Sequence, residues 1–376
     1  MNYCSYKVRV NIRAQDELRW HCLMQHNFAA HIQNLSLAFC LFVIAVLCPA
    51  RADVSAAATP AIFEFHSGIW INLHHFLYLE ALSDKPDKGS RETVSTADSD
   101  TLKSLSSEQL ATWNTAVSYY VSSAIQHDLL FDKDMIAIKN QLEDAEASPD
   151  LANVDVPAGL RAALLSAAPI YRQYWWKHHD AQNRQWIAQL EALVTTHGKT
   201  LRGSLVKIYD TPWPDHPVRV DATVFATWAG AYTTIKPTRP TISTADPANQ
   251  GPAALEAVFH ETTHGMMDKV WSAMDAAEAN INAHGSRPAL DTGTLWHAVL
   301  FYTIGQLLAD RIPGYIPYAD KNGLWTRAWP APDRLLIEQD WKPHMNDSVS
   351  LRRALTKLVN DFASAQQRKS ESESTK

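Results

Sequence analysis

The chain has 376 residues, of which 46% are hydrophobic and 20% are charged, and its formal net charge is −6. This composition indicates a folded globular protein with one large domain or two smaller ones, and it excludes a disordered or fibrous chain. The negative charge argues against nucleic acid or an anionic membrane surface as a partner, because both select basic faces.

An uncharged apolar run of 14 residues lies near the N-terminus, at residues 35–48. Residues 49–52 (PARA) follow it, with alanines in the two small positions of a signal-peptide cleavage motif. A membrane-spanning helix needs about 20 apolar residues, so the run is too short for an anchor. We predict that residues 1–52 form a signal peptide and that the mature protein is periplasmic or secreted, without a membrane span. Met24 is an alternative start, which would leave residues 1–23 untranslated.

Removal of this signal peptide changes the available chemistry. All the cysteines precede residue 53, namely Cys4, Cys22, Cys40 and Cys48. The mature chain therefore has neither disulfides, nor thiolate metal ligands, nor a cysteine nucleophile, and any metal must be held by histidine and carboxylate. Residues 1–52 contain five basic and two acidic residues, so their loss takes the net charge from −6 to −9.

Helical patterns dominate the first part of the mature chain, residues 53–202. Residues 60–82 are apolar and largely helical, and a polar loop follows at 83–107. Helical periodicity continues from 108 to about 131, and a long helix is predicted over roughly 169–194. We interpret this part of the chain as a helical region.

The pattern changes after Gly203, where short runs of period two predict strands. Residues 218–224 alternate apolar and polar side chains, and residues 230–234 and 241–243 are short β-like runs bounded by proline. Because these runs follow one another closely, we expect a small antiparallel β-sheet.

Helical periodicity returns over 252 to about 280 and again at 294–311 and 350–365. The predicted fold class is therefore α+β and mainly α-helical, with one helix packed directly after the small sheet. Residues 203–365 form the second predicted region, and residues 366–376 a disordered tail.

The helix after the sheet contains His-Glu-Thr-Thr-His at residues 260–264. Residues four apart share a helix face, so His260 and His264 can present two imidazoles to one ion. Glu261 is about 100° away and can reach a water on that ion without binding the ion. Zinc with three protein ligands lowers the pKa of its water, and a nearby carboxylate takes the proton. The pattern predicts a Zn²⁺ site with Glu261 as general base; the alternative is a pair of ordinary core histidines.

The order of two strands and an HExxH helix resembles the zincin metallopeptidases, and more narrowly the gluzincins, whose third ligand comes from a second helix downstream. The segments GAYTT, FHETTH and LWHAVLFYTIGQ are also similar to a group of uncharacterised exported bacterial HExxH proteins, along most of the mature chain. The resemblance implies a zincin-like catalytic region at 203–365 and a hydrolase of metallopeptidase type. It brings no known substrate.

The third metal ligand is open between three residues, because no third histidine follows His264 at the spacing of the elongated motif. Asp268 lies one turn beyond His264 on the same helix. This position is better suited to contacting a residue that binds the ion than to binding the ion itself. Glu278 would lie about 21 Å along that helix unless the helix breaks. His297 begins a separate apolar helix that can pack alongside, and we therefore favour it as the third ligand.

Tyrosines after His297 are candidates for donating a hydrogen bond to a developing oxyanion. We select Tyr302 because it lies on the same helix as His297; Tyr315 and Tyr318 follow it. For each of these three tyrosines, the alternative is a purely structural role.

Two groups of aromatic and histidine side chains fall at helical spacing, and each is either part of the cleft or ordinary core. The first group, placed on one face of the first mature helix, is His66, Trp70 and His74. The second group, which can alternatively contact sugars, is Trp175, Trp176, His178 and His179. Residues 230–234 have a further functional interpretation, as an edge strand that pairs with extended peptide, or else form an inner strand.

Together these features predict an exported zinc-dependent hydrolase, with a metallopeptidase acting on a peptide or other extracytoplasmic amide as the preferred form. The helical region before Gly203 would form the opposite wall of its cleft. Two alternatives stay open: a zinc hydrolase acting on cell-wall or glycan material, and a non-catalytic binding protein that contains zinc.

Overall fold

A computed structural model of the chain describes residues 61–83, 93–214, 217–284, 290–329 and 331–374. The predicted signal peptide, residues 1–52, lies outside the described residues. Most of the described chain is helical; the helices are α1 (Ile69–Ser83), α2 (Thr96–Leu102), α3 (Ser107–Ser122), α4 (Lys133–Asp144), α5 (Ala158–Tyr174), α6 (Trp176–Leu193), α7 (Lys199–Tyr209), α8 (Pro252–Thr263), α9 (Asp268–Ala283), α10 (Leu295–Ala309), α11 (Tyr318–Lys321), α12 (Leu324–Arg327), α13 (Ala331–Asp340), α14 (Lys342–Met345) and α15 (Leu351–Ser374). The strands are β1 (Phe63–His66), β2 (Val218–Thr223), β3 (Ala231–Ile235) and β4 (Thr238–Ser243). The prediction of a mainly helical α+β fold is confirmed.

The four strands form one mixed sheet in the order β1-β2-β4-β3. β1 pairs with β2 and β2 with β4 in parallel, and only β3 and β4 pair antiparallel. The sheet is thus not the antiparallel one predicted. Parallel neighbours need long crossover connections, and here the crossover between β1 and β2 is the whole helical region, which no local pattern reveals. The segment 60–82, predicted as helix, in fact supplies β1 before α1 begins.

The helix predicted over 169–194 is two helices, α5 and α6, separated at Trp175. Pro169 lies inside α5 rather than at the start of a helix. Trp175 has φ −117° and ψ −42°, a distorted helical conformation, and its fully buried indole stacks on Trp113 at 4.6 Å between ring centroids. The break therefore coincides with an aromatic anchor in the core, while apolar periodicity continues across it.

The buried apolar side chains form two clusters. One contains Phe225 and side chains between residues 69 and 175, and the other contains Phe63 and side chains between residues 186 and 362. Helices α8, α10 and α15 all contribute to the second cluster, together with the inner face of the sheet. The motif helix α8 therefore lies in the second core.

The last helix continues to Ser374, past residue 365, where the sequence predicted the disordered tail to begin. Its final turns contain the strong helix formers Gln, Arg, Lys and Glu, and Gln367 donates to Glu371 one turn later, at 3.1 Å.

Among the described residues, none of the helices combines the length and hydropathy of a membrane-spanning segment.

Candidate metal centre

Helix α8 carries the first four residues of the HETTH motif into the interior of the fold, and His264 follows in a 3₁₀ turn. Gly251, with φ +57°, makes the turn into the helix, and Pro252 occupies the first helical turn, where its missing N–H is not needed. Every residue from Ala253 to Thr263 is buried, because α8 packs on β3 and β4 and beside α10. A helix enclosed on all sides is apolar all round, so the polar residues of the motif are exceptional there.

His260, His264 and His297, called the histidine cluster below, meet between α8 and α10. The Nε2 atom of His260 lies 3.0 Å from Nε2 of His297 and 3.2 Å from Nε2 of His264. The ligand nitrogens of all three lie within 4.8 Å of one another, which makes this a group that can hold a metal ion. The structure therefore brings the favoured third residue, His297, to the two motif histidines.

The other two candidates for the third ligand lie outside this group. Helix α8 ends at Thr263, a 3₁₀ turn covers His264–Met266, and Asp268 starts the new helix α9. Glu278, on α9, accepts hydrogen bonds from the backbone N–H and the hydroxyl of Thr292, at 3.0 and 2.5 Å. The continuous helix from 252 to 280 is thus interrupted at the motif. Its interruption places Gly265 against β4, where a Cβ atom would collide with Thr238 Oγ1.

Burial dominates the electrostatics of the histidine cluster. Burial, together with the neighbouring His264 and His297, holds the pKa of His260 well below its ordinary value. Burial lowers the pKa of His264 to about 4, and burial with the nearby His264 holds the pKa of His297 well below its usual range. All three imidazoles are therefore neutral near pH 7, with lone pairs available to a cation.

Glu261 lies beside the cluster, with its Oε2 atom 4.0 Å from Nε2 of His264. Its side chain is 11% exposed. Burial raises the pKa of Glu261 to about 8, against a smaller opposing effect of the buried Lys139 ammonium. A carboxyl with this pKa can exchange a proton near neutral pH.

Aromatic rings enclose the cluster on the α10 side. Phe301 lies 3.9 Å from the ring of His260, and Trp296 stacks on His297 at 5.0 Å, measured between ring centroids. Trp329 meets the His297 ring edge-on at 5.8 Å. Sequence reasoning missed all three residues. Phe301 could have been found, because it lies four residues after His297 and so shares its helix face.

Tyr302, selected as the candidate oxyanion donor, lies on α10 together with His297. Tyr302 lies one residue round the helix from Phe301, and its hydroxyl is buried without a hydrogen-bond partner. A step of five residues on α10 turns a side chain by about 140°, so Tyr302 does not share the helix face of His297.

Tyr315 and Tyr318 instead meet Glu256, one turn before His260 on α8. The Tyr315 hydroxyl donates to Oε2 of Glu256 at 2.5 Å, and the Tyr318 backbone N–H donates to the same oxygen at 3.0 Å. The Tyr318 ring stacks on Phe301 at 5.9 Å. This buried carboxyl was also missed, although its spacing of four from His260 is a signal.

The two aromatic-histidine groups are distributed differently from the prediction. His66 belongs to β1, so it does not share a helix face with Trp70 and His74, which are fully buried in α1. Trp175 is a core residue, whereas His178 and His179 both contact Asp98. Among the described strands, the sheet order places β3 at an edge, as the peptide-pairing interpretation of residues 230–234 requires.

The cluster offers three imidazole nitrogens and a neighbouring carboxylate, a set that can hold a divalent ion and move a proton beside it. A comparison with protein-family models, curated proteins and solved structures finds no match. The chemistry of the chain is therefore inferred from the side chains themselves.

Proposed function

We propose that the protein is an exported zinc-dependent hydrolase of zincin type, and that it acts as a metallopeptidase. The observation that supports this most directly is the convergence of His260, His264 and His297 beside Glu261. Two nitrogens bound to one tetrahedral zinc at about 2.0–2.1 Å lie roughly 3.3–3.4 Å apart. The observed separations of 3.0 and 3.2 Å are close to that value.

The residues present fit zinc in two further respects. The three donors are imidazole nitrogens, a ligand type that suits zinc. Three protein ligands leave the fourth zinc position for substrate, as in catalytic rather than structural sites.

The mechanism assigns separate tasks to the ligands and to Glu261. Zinc bound by the three histidines would supply Lewis acidity, which lowers the pKa of water and polarises a carbonyl. Glu261 would accept the proton of the attacking water at Oε2 and return it to the leaving nitrogen. Phe301 and Trp296 would hold the imidazole rings in place and keep bulk water from them.

Peptide as the substrate class is supported by strand β3. It is an edge strand of the sheet, and it packs against the 3₁₀ turn that contains His264. An extended backbone paired with such an edge would run past the cluster, with main-chain hydrogen bonds supplying affinity. Buried Trp175 gives no comparable support to sugar contact by the predicted aromatic group on α6.

The replacement Glu261→Gln tests the catalytic proposal. The variant should keep one zinc in the histidine cluster and lose hydrolysis of a peptide panel by at least about a hundredfold, because the proton acceptor is gone. Glu191→Gln, at an exposed carboxylate of α6, is the matched control and should leave activity unchanged. The panel includes glycopeptides and muropeptides, and preference for those would replace peptide by cell-wall material as substrate.

Full activity in Glu261→Gln with zinc retained would refute the mechanism, and absence of any hydrolysis by the wild-type protein with zinc bound would favour the non-catalytic alternative. Elemental analysis of tag-free protein purified without added metal tests the cofactor. A zinc content unaffected by His260→Ala would remove the assignment of the ion to this cluster.

A further inference from the structure

A second group of possible metal ligands lies between α2 and α6, on elements that do not contribute to the histidine cluster. The Oδ1 atom of Asp98 lies 2.8 Å from Nε2 of His178 and 3.2 Å from Nε2 of His179. The three ligand atoms are within 4.8 Å of one another. Both imidazoles and the carboxylate therefore direct one atom each toward a common position.

Asp98 and His179 are the two buried residues of this group, and their remaining polar side-chain atoms already have hydrogen-bond partners. His179 Nδ1 is hydrogen-bonded to the hydroxyl of Tyr171 at 2.8 Å, and Oδ2 of Asp98 accepts from the Ser95 hydroxyl at 2.6 Å. The indole N–H of Trp175 donates to the backbone carbonyl of Asp98 at 3.4 Å. Partners of this kind fix the orientation of metal ligands in proteins, and they leave Nε2 and Oδ1 as the atoms that face the common position.

The position is open to solvent on one side. The side chains of Asp98 and His179 are 7% and 1% exposed, whereas that of His178 is 50% exposed. An ion could therefore enter without unfolding and complete its coordination with water. Two imidazoles and one carboxylate form a donor set that suits zinc and neighbouring divalent transition ions better than magnesium or calcium.

We propose that Asp98, His178 and His179 bind a second divalent transition-metal ion, which links α2 to α6. The group contains no general base comparable to Glu261, so the role of the ion is structural. The ion joins the seven-residue helix α2 to the long helix α6. The site is independent of the proposed hydrolase activity.

Metal stoichiometry tests the proposal. Tag-free protein is stripped with a chelator, equilibrated by dialysis against micromolar Zn²⁺, and analysed for bound zinc per chain; Co²⁺ repeats the titration with absorption as readout. We expect two ions per wild-type chain, one in His178→Ala and one in His260→Ala. His127→Ala is the matched control, because His127 is 52% exposed and also pairs with a carboxylate, Asp132 at 2.8 Å, but belongs to no three-ligand group among the described residues. It should keep two ions.

Asp98→Asn provides a second variant that preserves the side-chain shape, and it should weaken the second ion at least tenfold while circular dichroism stays unchanged. Two ions retained in His178→Ala, or an equal loss in His127→Ala, would overturn the proposal. A single wild-type ion that disappears only in His260→Ala would show that the Asp98 group is a hydrogen-bonded clamp, and would leave the proposed function intact. A single ion that disappears only in His178→Ala would uphold the second site and refute the first.

Discussion

Glu256 provides the sharpest stability prediction, because it is a buried carboxyl one turn from the histidine cluster. It is 1% exposed, and its Oε1 atom has no hydrogen-bond partner. Burial raises the pKa of Glu256 from 4.5 to about 7, against the hydrogen bonds from Tyr315 and Tyr318. The folded protein therefore binds this proton more tightly than the unfolded chain does.

The sign of the pH effect follows from the raised pKa. The stability that the protonated carboxyl contributes is fully present below about pH 4.5 and is lost as the pH rises through about 7. Each pKa unit corresponds to about 1.4 kcal/mol, so the wild-type protein should lose roughly 2 to 3 kcal/mol of unfolding free energy to this group between about pH 5 and about pH 8.

The replacement Glu256→Gln isolates this contribution. Glutamine can accept the same two hydrogen bonds but cannot ionise, so the variant should match the wild type at about pH 5 and exceed it by roughly 2 to 3 kcal/mol at about pH 8. Urea unfolding of chelator-treated protein at a series of pH values measures the difference. Glu191→Gln, at an exposed carboxylate, should give a flat difference. A flat difference for Glu256→Gln as well would refute the reasoning, since every other titrating group is common to both proteins.

Three further outcomes are expected. Lys139 and Glu143 form an ion pair that is 2.9 Å apart and 0% exposed. Lys139→Met leaves Glu143 buried without its partner, so the unfolding free energy measured in urea should fall by about 3 kcal/mol, and adding Glu143→Gln should restore most of that free energy. Phe301→Ala removes the ring 3.9 Å from His260 and should lower zinc affinity about tenfold, measured by competition with a chromophoric chelator; unchanged affinity would contradict the positioning role. Free zinc at about a hundred times its Kd for the histidine cluster should add about 2.7 kcal/mol to the unfolding free energy through that cluster, and His260→Ala should abolish this part of the gain.

The sequence was informative where chemistry is encoded locally. Spacing alone predicted that His260 and His264 share a face, and the apolar pattern at 294–311 predicted the helix that carries His297. Residues 218–224 were predicted as a strand, and β2 occupies Val218–Thr223. These features depend on the side-chain period of a helix or a strand, which neighbouring residues are sufficient to show.

Features that depend on distant segments could not be predicted in the same way. Strand β1 pairs with a strand that follows it by more than a hundred residues, and its four residues are too few to interrupt the apolar pattern of 60–82. Asp98 meets His178 and His179 only because the short helix α2 lies against α6 in the folded chain.

The spacing of the histidine cluster depends on close approach at two glycines. Gly265 lies against Thr238 of β4 immediately after His264, and Gly305 of α10 lies against Pro317, where a Cβ would be 2.7 Å from the proline Cβ. That same Cβ would be 3.2 Å from Oε1 of Glu256. The first contact fixes the end of α8 against the sheet. The second fixes α10 against the turn that is hydrogen-bonded to Glu256. Since cores transmit small displacements rather than absorb them, an added methyl group at either glycine would change the separation of the helices that carry the three imidazoles. The positions of the three histidines therefore depend on two small residues, one directly after His264 and the other about two turns after His297, where an apolar period carries no information.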